Sequence, residues 1–204
     1  MKNISDSEMN NVQVKLSNIL NVLNCVVVGK EKQIQWAVAC LLSGGHLLVE
    51  GLPGEGKTTL VQSLAAVLGL SYRRVQFTND LLPSDILGVS MYSRETESFT
   101  FHEGPIFTQF LLADEINRAS PKTQSALLEA MAERQVTIEG ATRLLPTPFC
   151  VVATQNPMDQ VGAHALPESQ LDRFLICIRL GYMDRKSECS VLKGEDRQAL
   201  IKDI

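Results

Sequence analysis

The chain has 204 residues, 45% of them hydrophobic, and a mean hydropathy near zero, the size and make-up of one sizeable globular domain. Its formal net charge of −4 excludes a global basic field for nucleic acid or an anionic membrane. No apolar run is long enough to span a bilayer, and the polar first residues carry no signal-peptide pattern.

In chain order, residues 1–10 read as a frayed polar end. Val12, Leu16, Ile19, Leu20 and Leu23 fall at helical spacing, which predicts a helix over 12–23. A short apolar segment broken by Gly29 follows. A second helix over 31–42 is stopped by Gly44-Gly45. Residues 46–50 form a buried strand, and a helix over 58–68 carries apolar residues at helical spacing. Gly69 ends it, and 73–77 reads as strand two. The segment 78–105 is long for a plain connection. It holds two β-rich runs, 89–92 and 98–101, joined by a polar tip, which predicts a hairpin. A third strand over 109–115 ends in Asp114 and Glu115. Ser120 then caps a helix reaching about 134, with Pro121 in its first turn. A second hairpin spans 135–145, and 150–154 is a fourth strand. A short helix over 167–171 and a fifth strand over 174–180 come next. Asp184 would cap a helix ending near Gly194, with the last ten residues helical. Alternating strands and helices predict a mainly parallel sheet covered on both faces. Ligands of such sheets sit beyond the carboxyl ends of the strands.

Cys25, Cys40, Cys150, Cys177 and Cys189 are scattered and mostly lie in apolar runs. They read as small reduced core residues of a cytoplasmic protein. There is no C-x-x-C, and His46, His102 and His164 lie far apart, which speaks against a zinc site.

The residues that carry chemistry begin at Gly51-Leu52-Pro53-Gly54-Glu55-Gly56-Lys57-Thr58. This is a complete G-x-x-x-x-G-K-[ST] phosphate-binding loop between a predicted strand and a predicted helix. Glycines let the backbone curl around phosphates with no side chain in the way. The N–H groups and the positive end of the new helix then face the anion. Lys57 would reach the β- and γ-phosphates, and the Thr58 hydroxyl would hold Mg²⁺. Gly51, Pro53, Gly54, Glu55, Gly56, Lys57, Thr58 and Thr59 are the expected nucleotide contacts. The loop by itself does not distinguish ATP from GTP.

Asp114 and Glu115, after four apolar residues, have the form of a Walker-B pair. Asp114 would hold Mg²⁺ directly or through water, and Glu115 would orient the attacking water. Asn156 follows the fourth strand, where it would bond the γ-phosphate or the water, or simply open a turn before Pro157. Arg173 is either half of a surface ion pair with Asp172 or an arginine offered to a neighbouring subunit. The phosphate loop, the two acids and Asn156 each follow a strand end, so one cleft would gather all three.

Together, VVGKEK, GLPGEGKT, LLADEINRA, KTQSALLEAMAERQVTIEG, VVATQNP and LPESQLDRF resemble the MoxR family of AAA+ ATPases, in the clade with a helix-2 insert. The likeness covers about residues 26–181. It implies a three-layer α-β-α P-loop fold with a parallel five-stranded sheet and two inserted β-hairpins. The domains implied are an N-terminal helical extension (1–25) and an AAA+ core (26–194). Within the core, the helix-2 insert falls at about 79–104 and the pre-sensor-1 hairpin at about 135–147. Residues 195–204 would start a linker towards a helical lid that is absent or truncated, since the chain ends at Ile204.

By position, the resemblance makes Lys57 and Thr58 part of Walker A, Asp114 and Glu115 Walker B, and Asn156 sensor 1. Arg173 becomes an arginine finger acting in trans, and Val28 and Gly29 line the adenine pocket. The implied cofactors are ATP and Mg²⁺. The implied assembly is a homo-oligomeric ring, usually a hexamer, that remodels protein clients alongside a von Willebrand factor A domain protein. Two other readings use the same residues. A DNA-linked motor is disfavoured by the acidic chain and by Arg143 being the lone basic residue near its hairpin tip. A non-catalytic nucleotide switch would not need Glu115.

Overall fold

The computed structural model describes residues 6–95, 97–157, 162–182 and 185–192. The expected Asp184 cap, the helix end near Gly194 and the 195–204 linker lie outside them.

Helix α1 (Asp6–Val26) leads to α2 (Glu31–Leu42) and strand β1 (Leu47–Glu50). Helix α3 (Lys57–Val67), β2 (Tyr72–Gln76) and the short α4 (Pro83–Leu87) follow. Strands β3 (Gly88–Ser93) and β4 (Ser98–Glu103) form the first hairpin, ahead of β5 (Phe110–Asp114). A 3₁₀ turn (Ile116–Arg118) leads into α5 (Pro121–Glu133), then β6 (Gln135–Ile138) and β7 (Ala141–Leu144) form the second hairpin. The chain continues through β8 (Cys150–Gln155), α6 (Glu168–Leu171), β9 (Ile176–Arg179) and α7 (Arg185–Leu192).

The main sheet runs in the order β2-β5-β8-β1-β9, and every neighbouring pair is parallel. Its strands alternate between two cores, because successive side chains leave a strand on opposite faces. Leu47, Val49, Phe110, Leu112 and Val152 pack with α1, α2 and α3. Leu48, Leu111, Ala113, Val151 and Ala153 pack with α5 and Ile86 of α4. This is the three-layer α-β-α arrangement, with the two hairpins outside the main sheet.

Local chemistry explains the boundaries. The Ser120 side chain accepts the Thr123 N–H at 3.3 Å, and Pro121 sits in the first turn of α5, as the sequence predicts. Arg134 ends that helix in the left-handed region at φ 54°.

Four expectations need correction. The first helix is longer than 12–23, because its apolar stripe packs on α3 and carries the polar ends into helical register. It therefore reaches into the stretch expected to fray. Residues 83–87 are helical although no element was expected there. Five residues are too few for a periodic signal, yet Pro83 opens the turn and Asp85 accepts the Leu82 N–H at 2.8 Å. The fifth strand is only Ile176–Arg179, because Phe174 and Leu180 turn into the cores on either side. Of the five cysteines, only Cys40 and Cys150 are buried, while Cys25, Cys177 and Cys189 are exposed. Apolar neighbours in sequence did not place those three on the inward face.

Gly88 and Gly104 fix the base of the first hairpin. A Cβ on Gly104 would overlap the Ile86 carbonyl, and one on Gly88 would overlap the His102 carbonyl. Among the described residues, no helix is long and apolar enough to cross a membrane.

Candidate functional site

The ends of β1 and β5 open onto one cleft of about 330 Å³, lined by Pro53, Gly54, Gly56, Lys57, Thr58, Thr59, Asp114 and Glu115. The loop after β1 turns at Gly54 and Gly56, both left-handed at φ 86° and 85°. Side-chain-bearing residues rarely take that conformation, and glycine adopts it freely. Nothing lies within 4 Å of where a Cβ would stand at either position. The concave side of the loop is therefore open backbone. Gly56 caps α3 without a side-chain hydrogen bond, and the first turn of α3 holds no acid. The leading N–H groups of α3 are thus left to an external anion.

Lys57 Nζ donates to the carbonyls of Gly51 (2.5 Å) and Leu52 (3.1 Å), which tethers its ammonium over the loop. Glu55 Oε2 is buried beside Gly51 and has no hydrogen-bond partner among the described residues.

The two acids sit in different surroundings. Asp114 is 7% exposed and both its oxygens are engaged. Thr154 Oγ1 donates to Oδ1 at 2.5 Å, while Arg74 donates to Oδ2 from Nη2 (2.7 Å) and Nε (3.1 Å). Glu115 is left-handed at φ 57°, an uncommon conformation outside glycine. Its N–H donates to Thr154 Oγ1 at 2.9 Å. Its Oε2 accepts from Gln76 Nε2 at 2.8 Å and pairs with Arg118 Nε at 3.2 Å. Arg74 Nη2 also donates to Gln76 Oε1 at 2.7 Å. One polar chain therefore runs from Asp114 through Arg74 and Gln76 to Glu115, and Thr154 joins the acids from the other side.

Hard oxygen donors, Thr58 and a carboxylate, suit Mg²⁺, which usually takes one or two protein oxygens plus substrate phosphates. Among the described residues no cluster of three or more His, Cys, Asp or Glu could hold a metal alone. Thr58 and Asp114 on the cleft wall fit Mg²⁺ brought with a nucleotide, and the open amide cradle beside them fits its phosphates.

The remaining expected residues lie around this cleft or away from it. Asn156 is buried just past β8, two positions after Thr154, and its carbonyl accepts from Asn117 Nδ2 at 3.4 Å. Val28 and Gly29 form the turn between α1 and α2, where a Cβ on Gly29 would crowd the Ser187 side chain of α7. The neighbouring Lys30 is buried and donates to the carbonyls of Leu180 (2.8 Å), Gly181 (2.8 Å) and Tyr182 (3.0 Å). It ties this turn to the end of β9. Arg173 does not reach the cleft. It borders a separate groove with Ser125, Glu129, Glu133 and Gln170, and among the described residues it forms no ion pair with Asp172.

Sequence reasoning missed Arg74, Gln76, Thr154 and Lys30. A signal existed for the first two, since polar residues two apart on a strand share a face. The register sets Gln76 opposite Asp114.

Residues 46–176 match the ATPase family associated with various cellular activities (AAA). The chain is 47% identical to Chaperone MoxR1 of Mycobacterium tuberculosis over 167 residues, 82% of this chain and 44% of that protein. It is 33% identical to Protein MoxR of Paracoccus denitrificans, over 98% of this chain and 61% of that one. The chain belongs to the MoxR family of AAA+ ATPases. It is also 48% identical to the Bacillus subtilis protein YeaC, across 93% of this chain and 59% of that protein. A crystal structure of a Cytophaga hutchinsonii protein described as a candidate ATPase superposes with a TM-score of 0.78 at 46% identity. That likeness covers 88% of this chain and 54% of the other. The chain thus spans roughly half the length of its MoxR-family relatives.

Proposed function

We propose that this domain binds and hydrolyses Mg²⁺-ATP and uses the turnover to remodel a protein partner. The observation that carries the reading is one cleft bordered by Lys57, Thr58, Asp114 and Glu115. Thr58 and Asp114 would hold Mg²⁺, which would supply charge neutralisation to the phosphates. Lys57 leaves its loop carbonyls for the phosphates, and the amides of Gly54 to Thr58 cradle them. Glu115, aimed by Gln76 and Arg118, orients the attacking water, and Asn156 steadies the water or the γ-phosphate. Val28 and Gly29 flank the base.

Arg173, exposed and outside the lining of its own cleft, acts on the nucleotide of a neighbouring subunit in a homo-oligomeric ring, a hexamer by family resemblance. The helix-2 insert is the β3–β4 hairpin, and β6–β7 is the pre-sensor hairpin. The two touch where the Arg143 guanidinium lies 3.8 Å from the centroid of the Phe101 ring. Such a contact passes movement from one hairpin to the other. Exposed Tyr92 and Phe99, edge to face at 5.4 Å, give the first hairpin an aromatic grip for a client. The chaperone name of one relative supports the remodelling role, and the partner expected by resemblance is a von Willebrand factor A domain protein.

Phosphate release by the parent and by Glu115→Gln tests the reading. A parent that turns over ATP, and a variant that retains nucleotide but loses most turnover, agree with it. Equal turnover in both removes Glu115 from the chemistry.

A further inference from the structure

Backbone freedom does not explain the glycine at position 51. Gly51 lies outside the left-handed region that Gly54 and Gly56 occupy, so its conformation suits any residue. A Cβ there would instead overlap Glu55 Oε2, with Glu55 Cδ at 3.4 Å and Lys57 Cδ at 3.7 Å. The two side chains thus converge over one bare Cα. Lys57 carries its ammonium on to the carbonyls of Gly51 and Leu52. Glu55 ends at Gly51, where Oε2 is buried and meets no hydrogen-bond donor among the described residues. No donor offsets the charge on that oxygen. Glu55 is the one acid in the 51–58 loop, and the first turn of α3 adds none. A single negative charge therefore stands inside a loop otherwise built for anions.

We propose that Glu55 sets the nucleotide affinity of the loop by opposing it: its carboxylate, folded against Gly51, repels incoming phosphates and offsets part of the Lys57 charge. The inference rests on the nucleotide reading of the cleft. Both effects have the same sign. Glu55 lies between Gly54 and Gly56, in the run of amides that would face the phosphates, so the repulsion acts at short range. The residue is only half-buried, so water and salt reduce that repulsion without removing it. Its side chain meets Lys57 at Gly51, so the ammonium offers less net charge to a phosphate than a lone lysine would. The expected consequence is a loop that holds nucleotide less tightly than its glycines and lysine would alone, and releases it sooner.

The test is isothermal titration of ATP and of ADP, in EDTA to prevent turnover, into the parent, Glu55→Gln and Glu55→Asp. Glu55→Gln keeps the shape and removes the charge. ATP should bind it about 3- to 10-fold more tightly than the parent, the scale of a partly screened charge pair. ADP carries less charge and should gain less. The gap between the parent and Glu55→Gln should narrow to within about twofold at ~0.5 M salt, because screening weakens a charge effect and not a steric one. Glu55→Asp keeps the charge in the loop, so its ATP affinity should stay within about twofold of the parent. Circular dichroism checks that both variants fold. A Glu55→Gln protein that binds ATP no more tightly than the parent, or whose gain is the same for ATP and ADP and indifferent to salt, overturns the inference while leaving the nucleotide site intact. A parent that binds neither nucleotide, with Mg²⁺ or without, overturns the inference and the reading beneath it.

Discussion

Thr154→Val removes one hydroxyl and almost no volume, and the structure gives that hydroxyl two tasks. It donates to Asp114 Oδ1 at 2.5 Å and accepts the Glu115 N–H at 2.9 Å, from a side chain with no solvent exposure. A hydrogen bond to a charged acceptor contributes about 1.5–3 kcal/mol, and a buried N–H left unpaired costs about 1–3 kcal/mol. The two share one atom and do not simply add, so a loss of about 3 kcal/mol is expected. For a chain of this size that lowers the melting midpoint by about 6–12 °C. Glu115 also loses the bond that holds its left-handed backbone, so turnover should fall about 10- to 100-fold, as displaced catalytic groups do. Thermal and urea unfolding by circular dichroism give the stability, and phosphate release gives the rate. Thr154→Ser keeps the hydroxyl and should lose only about 1 kcal/mol, for the missing methyl, with turnover close to the parent. A Thr154→Val protein within about 0.5 kcal/mol of the parent and equally active would refute the reasoning.

His46 supplies a pH test. Its Nδ1 accepts the Val151 N–H at 3.0 Å, while Nε2 lies 3.3 Å from the Met131 carbonyl. Burial lowers its pKa to about 4; the Met131 hydrogen bond opposes this, and Arg134 adds to it. The folded value is below the unfolded one, near 6.5. The unfolded chain therefore binds a proton first as pH falls. Stability should be unaffected above about pH 6.5 and drop by roughly 3 kcal/mol towards pH 4. Urea midpoints across that window, in the parent and His46→Gln, would show the slope in the parent alone. Lys30→Met strands three carbonyls past the end of β9 and should destabilise by about 3 kcal/mol, read as a shift in urea midpoint with the slope unchanged.

Much of this molecule was legible because local and global signals agreed. The helix after Ser120-Pro121 carries its own cap, and the phosphate loop carries its own glycines. The buried strands β5 and β8 open on continuous apolar runs, 110–113 and 150–153, as a sheet covered on both faces demands. What stayed hidden depends on register and on which way a side chain leaves its strand. Arg74 and Gln76 became partners of the two acids only once β2 lay beside β5 in the observed register. Thr154 reads as one more small residue in an apolar strand until its neighbours across the sheet are known. Lys30 looks like an exposed charge before a helix, and its three acceptors lie 150 residues or more away. The cysteines misled for the same reason, since apolar neighbours do not fix a residue's face. Arg173 was offered either to an ion pair or to a neighbouring subunit, and it lines a groove separate from the nucleotide cleft.

The central claim is that the amides of the 51–58 loop and the carboxylate of Asp114 serve one magnesium-bound triphosphate. Isothermal titration of Mg²⁺-ATP into the parent and into Lys57→Ala and Asp114→Asn measures it most directly. The account predicts saturable binding at one site per chain in the parent. It predicts loss of that binding in Lys57→Ala, and in Asp114→Asn a weakening that appears with Mg²⁺ and vanishes when EDTA is present. Binding that is indifferent to both substitutions, or a parent that takes up no nucleotide, would contradict it.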